Sequence, residues 1–180
     1  MLQWQHARLI QTCTDCTVKG FTAMGTQDQD KLKELLSRAK SLASEYYRLT
    51  QKPLGVTGEV AELEAAEKLD LELAVARNPF YDAVQQTELG IRHLQIKGRA
   101  VDRLNPYRGR VPSIKCNGEF DAVLLVLLDK ATFGAIEIWE ASREIITQRL
   151  LVPGSKSRNE RGSMGIAQFK AIAVKVWPAK

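Results

Sequence analysis

The apolar positions Leu32, Leu35, Leu36, Ala39, Leu42, Ala43 and Tyr46 recur at spacings of three and four, with Lys, Arg and Glu between them. That period predicts an amphipathic helix over residues 27–49. Lys52-Pro53-Leu54-Gly55 ends it, and Thr57 is placed to cap a second helix over residues 58–69. There Val60, Leu63, Ala66 and Leu69 face the core. Beyond the turn signal Arg77-Asn78-Pro79 the period changes to two. Residues 80–85 and 90–97 read as strands, joined by a hairpin turn at Glu88-Leu89-Gly90. Residues 98–118 form a long connection rich in Gly, Arg, Asn and Pro. Residues 120–128 hold the run Ala-Val-Leu-Leu-Val-Leu-Leu, the pattern of a central strand buried on both faces. A strand at 134–140, a helix at 141–150, a short helix at 164–171 and an edge strand or tail at 171–177, packed by Trp177, complete the series. The expected fold class is α/β, a mixed central sheet flanked by helices. Residues 1–26, with weak periodicity, form an N-terminal arm to a single domain over 27–180.

A chain of 180 residues that is 44% hydrophobic and 26% charged can bury a core without disulfides or a structural metal. No apolar run approaches the roughly 20 residues of a membrane span, so no membrane partner is expected. The formal charge is +5, and its distribution says more than its total. Between residues 92 and 115 lie Arg92, Lys97, Arg99, Arg103, Arg108, Arg110 and Lys115, against the single acid Asp102. A second basic segment carries Lys156, Arg158 and Arg161 ahead of a helix start. Both segments suit a phosphate backbone, and the residues expected to hold it are Arg99, Arg103, Arg108, Arg110, Lys156, Arg158 and Arg161. Three cysteines fit a reducing cytoplasm. Cys13 and Cys16 have C-x-x-C spacing, but no second pair exists, His6 is poorly spaced for a zinc finger, and no strand leads into the pair.

The candidate chemistry sits at residues 82–99. The hairpin brings Asp82, at the end of one extended segment, beside Gln95 and Lys97 on one face of the next. Phosphodiester cleavage near neutral pH needs a hard cation to polarise the phosphate and a group to hold the attacking water. Magnesium accepts one or two carboxylates with a carbonyl and keeps its own waters. Asp82 would anchor it, the Gln95 side-chain oxygen and the Ile96 carbonyl would add donors, and Lys97 would hold the nucleophile or the developing charge. Among the helix acids Glu59, Glu62, Glu64 and Glu67, ordinarily solvent contacts, Glu62 adjoins the apolar stripe and can reach a neighbouring site. His93 shares the face of Gln95 and Lys97. With only His6 and His93 present, no hydrolytic triad is visible.

Gly58-Glu59-Val60-Ala61-Glu62, Tyr81-Asp82 and Gln95-Ile96-Lys97, in that order, resemble the restriction-endonuclease-like PD-(D/E)xK superfamily. Its Gly-x-x-x-Glu helix pattern, Pro-Asp and (D/E)-x-K correspond to them, with Tyr for Pro and Gln for the second acid. The resemblance covers residues 57–128. It implies a core of a helix, a mixed sheet and a second helix, with Glu62, Asp82, Gln95 and the Ile96 carbonyl around Mg2+ or Mn2+ and Lys97 at the nucleophile. It also implies an endonuclease hydrolysing DNA, in restriction or host defence, with a homodimer where both strands are cut. Two readings stand beside it: a nucleic-acid-binding module with a degenerate site, and a non-catalytic structural or interaction subunit.

Overall fold

The computed structural model describes residues 26–50, 54–75 and 78–179. The predicted arm at 1–26, with His6, Cys13 and Cys16, lies outside the described residues except for the backbone of Thr26, as do Lys52, Pro53 and Arg77 of the two turn signals. Two helices, α1 (Thr26–Thr50) and α2 (Thr57–Leu69), lead into the sheet. Of the α1 stripe, Ala43 is fully buried, while Leu35, Leu42 and Tyr46 are exposed. On α2, Val60, Ala61, Leu63 and Ala65 are buried. Thr57 begins this helix instead of capping it. The Val56 amide donates to the Leu54 carbonyl (2.9 Å) and turns the chain one residue early, so Val56, whose side chain cannot accept a hydrogen bond, occupies the cap position.

The strands are β1 (Glu72–Leu73), β2 (Ala83–Thr87), β3 (Gly90–Val101), β4 (Ala122–Asp129), β5 (Ala135–Ser142) and β6 (Val174–Trp177). They form one sheet in the order β1-β2-β3-β4-β5-β6, antiparallel at every junction except the parallel β3–β4 pair. The fold is therefore α/β with a six-stranded mixed sheet flanked by helices. All eight residues of β4 are buried, as its unbroken apolar run requires. Alternate β4 side chains feed two cores: Leu124, Val126 and Leu128 pack with α2, while Val123, Leu125 and Leu127 meet Ile146, Met164, Ile166 and Phe169. Those four residues come from α3 (Arg143–Leu151), the segment after it and α5 (Ile166–Lys170).

Several boundaries differ from the sequence pattern for tertiary reasons. Asp82 precedes β2 instead of lying within a strand begun at Phe80. β3 continues four residues past Lys97 into the expected connection, because its parallel partner runs through to Asp129 and pairs with it as far as Val101. Ala141 and Ser142 belong to β5, and the Ser142 hydroxyl oxygen, accepting from the Ile145 amide, starts α3. Within the basic segment 156–162 a single turn, α4 (Lys156–Asn159), is formed. Residues 110–114 are stitched to 162–165: the Val111 amide donates to the Met164 carbonyl and the Ile114 amide to the Gly162 carbonyl, both at 2.9 Å.

Glu64 departs most from its expected role. It is 3% exposed, pairs with Lys40 of α1, and accepts the Ala135 amide (2.8 Å) at the start of β5. A carboxylate read as a solvent contact is instead the polar tie between α1, α2 and the sheet.

Candidate active site

The site forms where β2 stops short of β3. Pairing between them ends at Ala83–Leu94, and the Asp82 amide makes one further bond to the Leu94 carbonyl (2.8 Å). The Asp82 side chain then takes the place of the missing strand, with Oδ2 accepting the Ile96 amide at 2.7 Å. Both backbone polar groups of a strand residue face the same edge. The Ile96 carbonyl therefore opens onto the edge that β2 has vacated, and Ile96 lines the cleft there. Lys97, whose side chain is largely buried, places Nζ 3.4 Å from the same Asp82 oxygen.

Glu62 reaches this cleft from α2. The helix lies close to β3 because residue 98 is glycine: a Cβ there would come within 2.5 Å of the Ala61 Cβ and 2.6 Å of the Thr57 carbonyl oxygen. With Val60, Ala61 and Leu63 buried around it, Glu62 sits half-buried at the rim with Thr57, Gly58, Asp82, Lys97 and Arg99. Its pKa is pushed from 4.5 to about 7, chiefly by burial, then by the negative charges of Asp82 and Glu59, with Lys97 opposing. A carboxyl group holding its proton near neutrality beside a second carboxylate marks strong local demand for positive charge.

Gln95 lies on the other side of the Asp82–Lys97 pair. It is 3% exposed, and its Nε2 donates to the Lys115 carbonyl (3.0 Å), leaving Oε1 as the atom it can offer. A second depression there is lined by Asn78, Phe80, Asp82, Gln95, Lys97 and Lys115. Ser113 lines both depressions, and its hydroxyl donates to the Arg161 carbonyl at 2.6 Å. His93 stacks on Tyr81 with ring centroids 4.3 Å apart, and its amide donates to Asp121 (2.7 Å).

Glu62, Asp82, Ile96 and Lys97 thus share one cleft, and Gln95 adjoins them across Asp82. Among the described residues no three His, Cys, Asp or Glu side chains converge as a metal-binding group. Of the expected backbone-holding cations, Arg99 lines the cleft, and Arg108, Lys156 and Arg161 are exposed. Arg103 pairs with Asp129, Arg110 binds the Ser163 carbonyl, and Arg158 spans the Val152 and Pro153 carbonyls at 2.8 and 2.6 Å. These three arginines tie the chain to itself. Lys115, Ser113 and Phe80 also line the site, and no sequence motif marks them as site residues. Lys115 is visible within the basic run, but its place at the second depression depends on the Gln95 bond to its carbonyl and on the stitching of 110–114 to 162–165.

Among the described residues no helix is long and apolar enough to cross a membrane. No protein-family model matches the chain, and no curated protein matches it in sequence.

Proposed function

We propose that the chain is a metal-dependent deoxyribonuclease with a restriction-endonuclease-like core, hydrolysing phosphodiester bonds in the Asp82–Lys97 cleft. The observation that carries this reading is the replacement of β2 pairing by the Asp82 side chain, which gathers a carboxylate, the Ile96 carbonyl and the Lys97 ammonium at one open edge. Glu62 faces the same edge from α2. The arrangement of α2, a mixed sheet and α3, with an antiparallel hairpin beside a parallel central strand, supports the fold part of the reading.

The donors suit Mg2+ or Mn2+. Asp82, Glu62 and the Ile96 carbonyl offer only oxygen, and two carboxylates with a carbonyl are enough for a cation that keeps some of its waters. When bound, the cation neutralises phosphate charge and lowers the pKa of an attacking water. Asp82 is held rigidly for this by the Ile96 amide, as a ligand must be. The Lys97 ammonium faces the same point, where it orients the nucleophile and stabilises the negative charge that grows on the phosphate. Exposed Arg99 extends the positive edge along the path a DNA strand would take.

The test is purified protein with magnesium or manganese and DNA, beside Asp82→Ala and Lys97→Ala. Metal-dependent cleavage lost in both variants is the expected result, and equal behaviour of all three proteins rejects the assignment. A second reading, a DNA-binding module without catalysis, is favoured by Gln95, whose amide is buried and committed to Lys115 where a second carboxylate would strengthen metal binding. Salt-dependent DNA binding that ignores both metal and Asp82→Asn would select it.

A further inference from the structure

Besides Asp82, Gln95 and Lys97, the depression on the Gln95 side of Asp82 is lined by Phe80 and Lys115, which phosphodiester hydrolysis itself does not use. Phe80 stands at its lip, 47% exposed, although it is a large aromatic side chain in a described loop. It is also held in place. The Phe80 and Tyr81 amides both donate to Asn78 Oδ1 (3.0 and 3.3 Å), and the next ring along, Tyr81, stacks on His93. Beneath Phe80 lies buried Gly118, where a Cβ would come within 2.6 Å of Phe80 Cδ1. One side of the ring therefore rests on backbone, and the exposed remainder borders a depression that also holds exposed Lys115. Lys115 is positioned by its own carbonyl, which accepts from Gln95 (3.0 Å).

A fixed aromatic surface beside a cation, next to the carboxylate and ammonium of a phosphodiester site, matches the two parts of a nucleotide. We propose that Phe80 and Lys115 form a subsite for one unpaired nucleotide adjoining the cleaved bond, Phe80 stacking on the base and Lys115 pairing with its phosphate. The proposal rests on the deoxyribonuclease reading and narrows its substrate class. In a continuous duplex both faces of every base are covered by neighbours, so only a base that has left the stack has a face for Phe80. The substrate is then a single strand, or a duplex interrupted by an unpaired nucleotide.

The test uses the full chain and short single-stranded oligonucleotides carrying 2-aminopurine at successive positions, whose fluorescence is quenched on stacking. Binding is read in EDTA and cleavage in magnesium, for the native protein, Phe80→Leu, Phe80→Trp, Lys115→Gln and Asp82→Ala. Quenching is expected at one position, retained by Phe80→Trp and lost in Phe80→Leu, with affinity falling about ten-fold. An abasic unit at that position lowers native affinity and kcat/KM by about ten-fold and adds less than about two-fold to the effect of Phe80→Leu. Lys115→Gln weakens binding and reduces its salt dependence by about one phosphate contact. Urea unfolding of each variant separates loss of the subsite from loss of the fold. Equal effects of the abasic unit on native protein and Phe80→Leu, or no position-dependent quenching, overturn the subsite. If cleavage nevertheless requires Asp82, the nuclease reading survives that failure. Phe80-dependent quenching without any cleavage upholds the subsite and rejects the nuclease.

Discussion

Glu62→Gln tests the electrostatics of the cleft without touching Asp82 or Lys97. In the unfolded chain Glu62 titrates near its ordinary 4.5, and in the folded protein near 7. The native state therefore binds more protons than the unfolded state between those values, and stability falls as pH rises through them. The contribution is fully present below about pH 4.5 and lost above about pH 7. At about 1.4 kcal/mol per pH unit the difference sets an upper bound of about 3 kcal/mol. Glu62 is only half-buried, so solvent screening brings the expected effect to about 1–2 kcal/mol. Glutamine keeps the shape of the protonated acid and does not titrate. Urea unfolding should give matching stabilities for native protein and Glu62→Gln near pH 4, and a more stable variant, by about 1–2 kcal/mol, near pH 8. Taking the difference between the two proteins cancels the titrating groups that do not interact with Glu62. Under the proposed function, millimolar magnesium narrows the gap near pH 8, because a bound cation favours the ionised acid that only the native protein has. A constant difference between the two proteins from pH 4 to 8 would refute the half-buried placement of Glu62 beside Asp82.

Three further outcomes follow from the packing and the site. Glu64→Ala removes the acceptor of both Lys40 and the Ala135 amide and should cost about 2–3 kcal/mol in urea unfolding, several-fold more than Glu67→Ala on the exposed face of the same helix. Gly98→Ala pushes α2 off β3 and should cost about 1–3 kcal/mol; under the proposed function the loss of cleavage exceeds the stability effect, because Glu62 moves with the helix. Asp82→Asn keeps an acceptor for the Ile96 amide, so the urea midpoint should move little, while under the proposed function metal-dependent cleavage falls at least about 100-fold; a variant that keeps most of that activity would relocate the site.

How far the sequence exposes this arrangement depends on the range of the interaction involved. The seven apolar residues from Ala122 to Leu128 specify a strand covered on both faces, whatever surrounds it, since no other placement hides them all. The alternation at 94–97 likewise puts Gln95 and Lys97 on one face, and a two-residue turn at Glu88-Leu89 fixes their register against the segment ending at Asp82. Those local signals were enough to bring Asp82 and Lys97 together. The edge of the apolar stripe also marks Glu62 among the helix acids, but nothing local marks Glu64, two positions on, as a buried tie. Their fates are set by what stands opposite: Lys40 and the Ala135 amide capture Glu64, while the vacated strand edge leaves Glu62 facing the cleft.

The same distinction explains the basic residues. A count of Lys and Arg along residues 92–115 treats them alike, yet Arg103 and Arg110 spend their guanidinium groups on Asp129 and the Ser163 carbonyl. Those partners lie in β4 and in the segment before α5, so the pairing is set by tertiary distance and leaves no trace in composition. Arg99 and Lys115 reach the cleft for an equally non-local reason. β3 is carried past Lys97 by its parallel partner, while residues 110–114 are hydrogen-bonded to 162–165 and the Lys115 carbonyl to Gln95. The two flanks of Asp82 therefore have different origins: the Glu62 and Arg99 side follows from helix α2 packing on Gly98, and the Phe80 and Lys115 side from Phe80 resting on Gly118 and the Lys115 carbonyl meeting Gln95. A substrate strand crossing both would meet carboxylates and a guanidinium on one side, and an aromatic ring and an ammonium on the other.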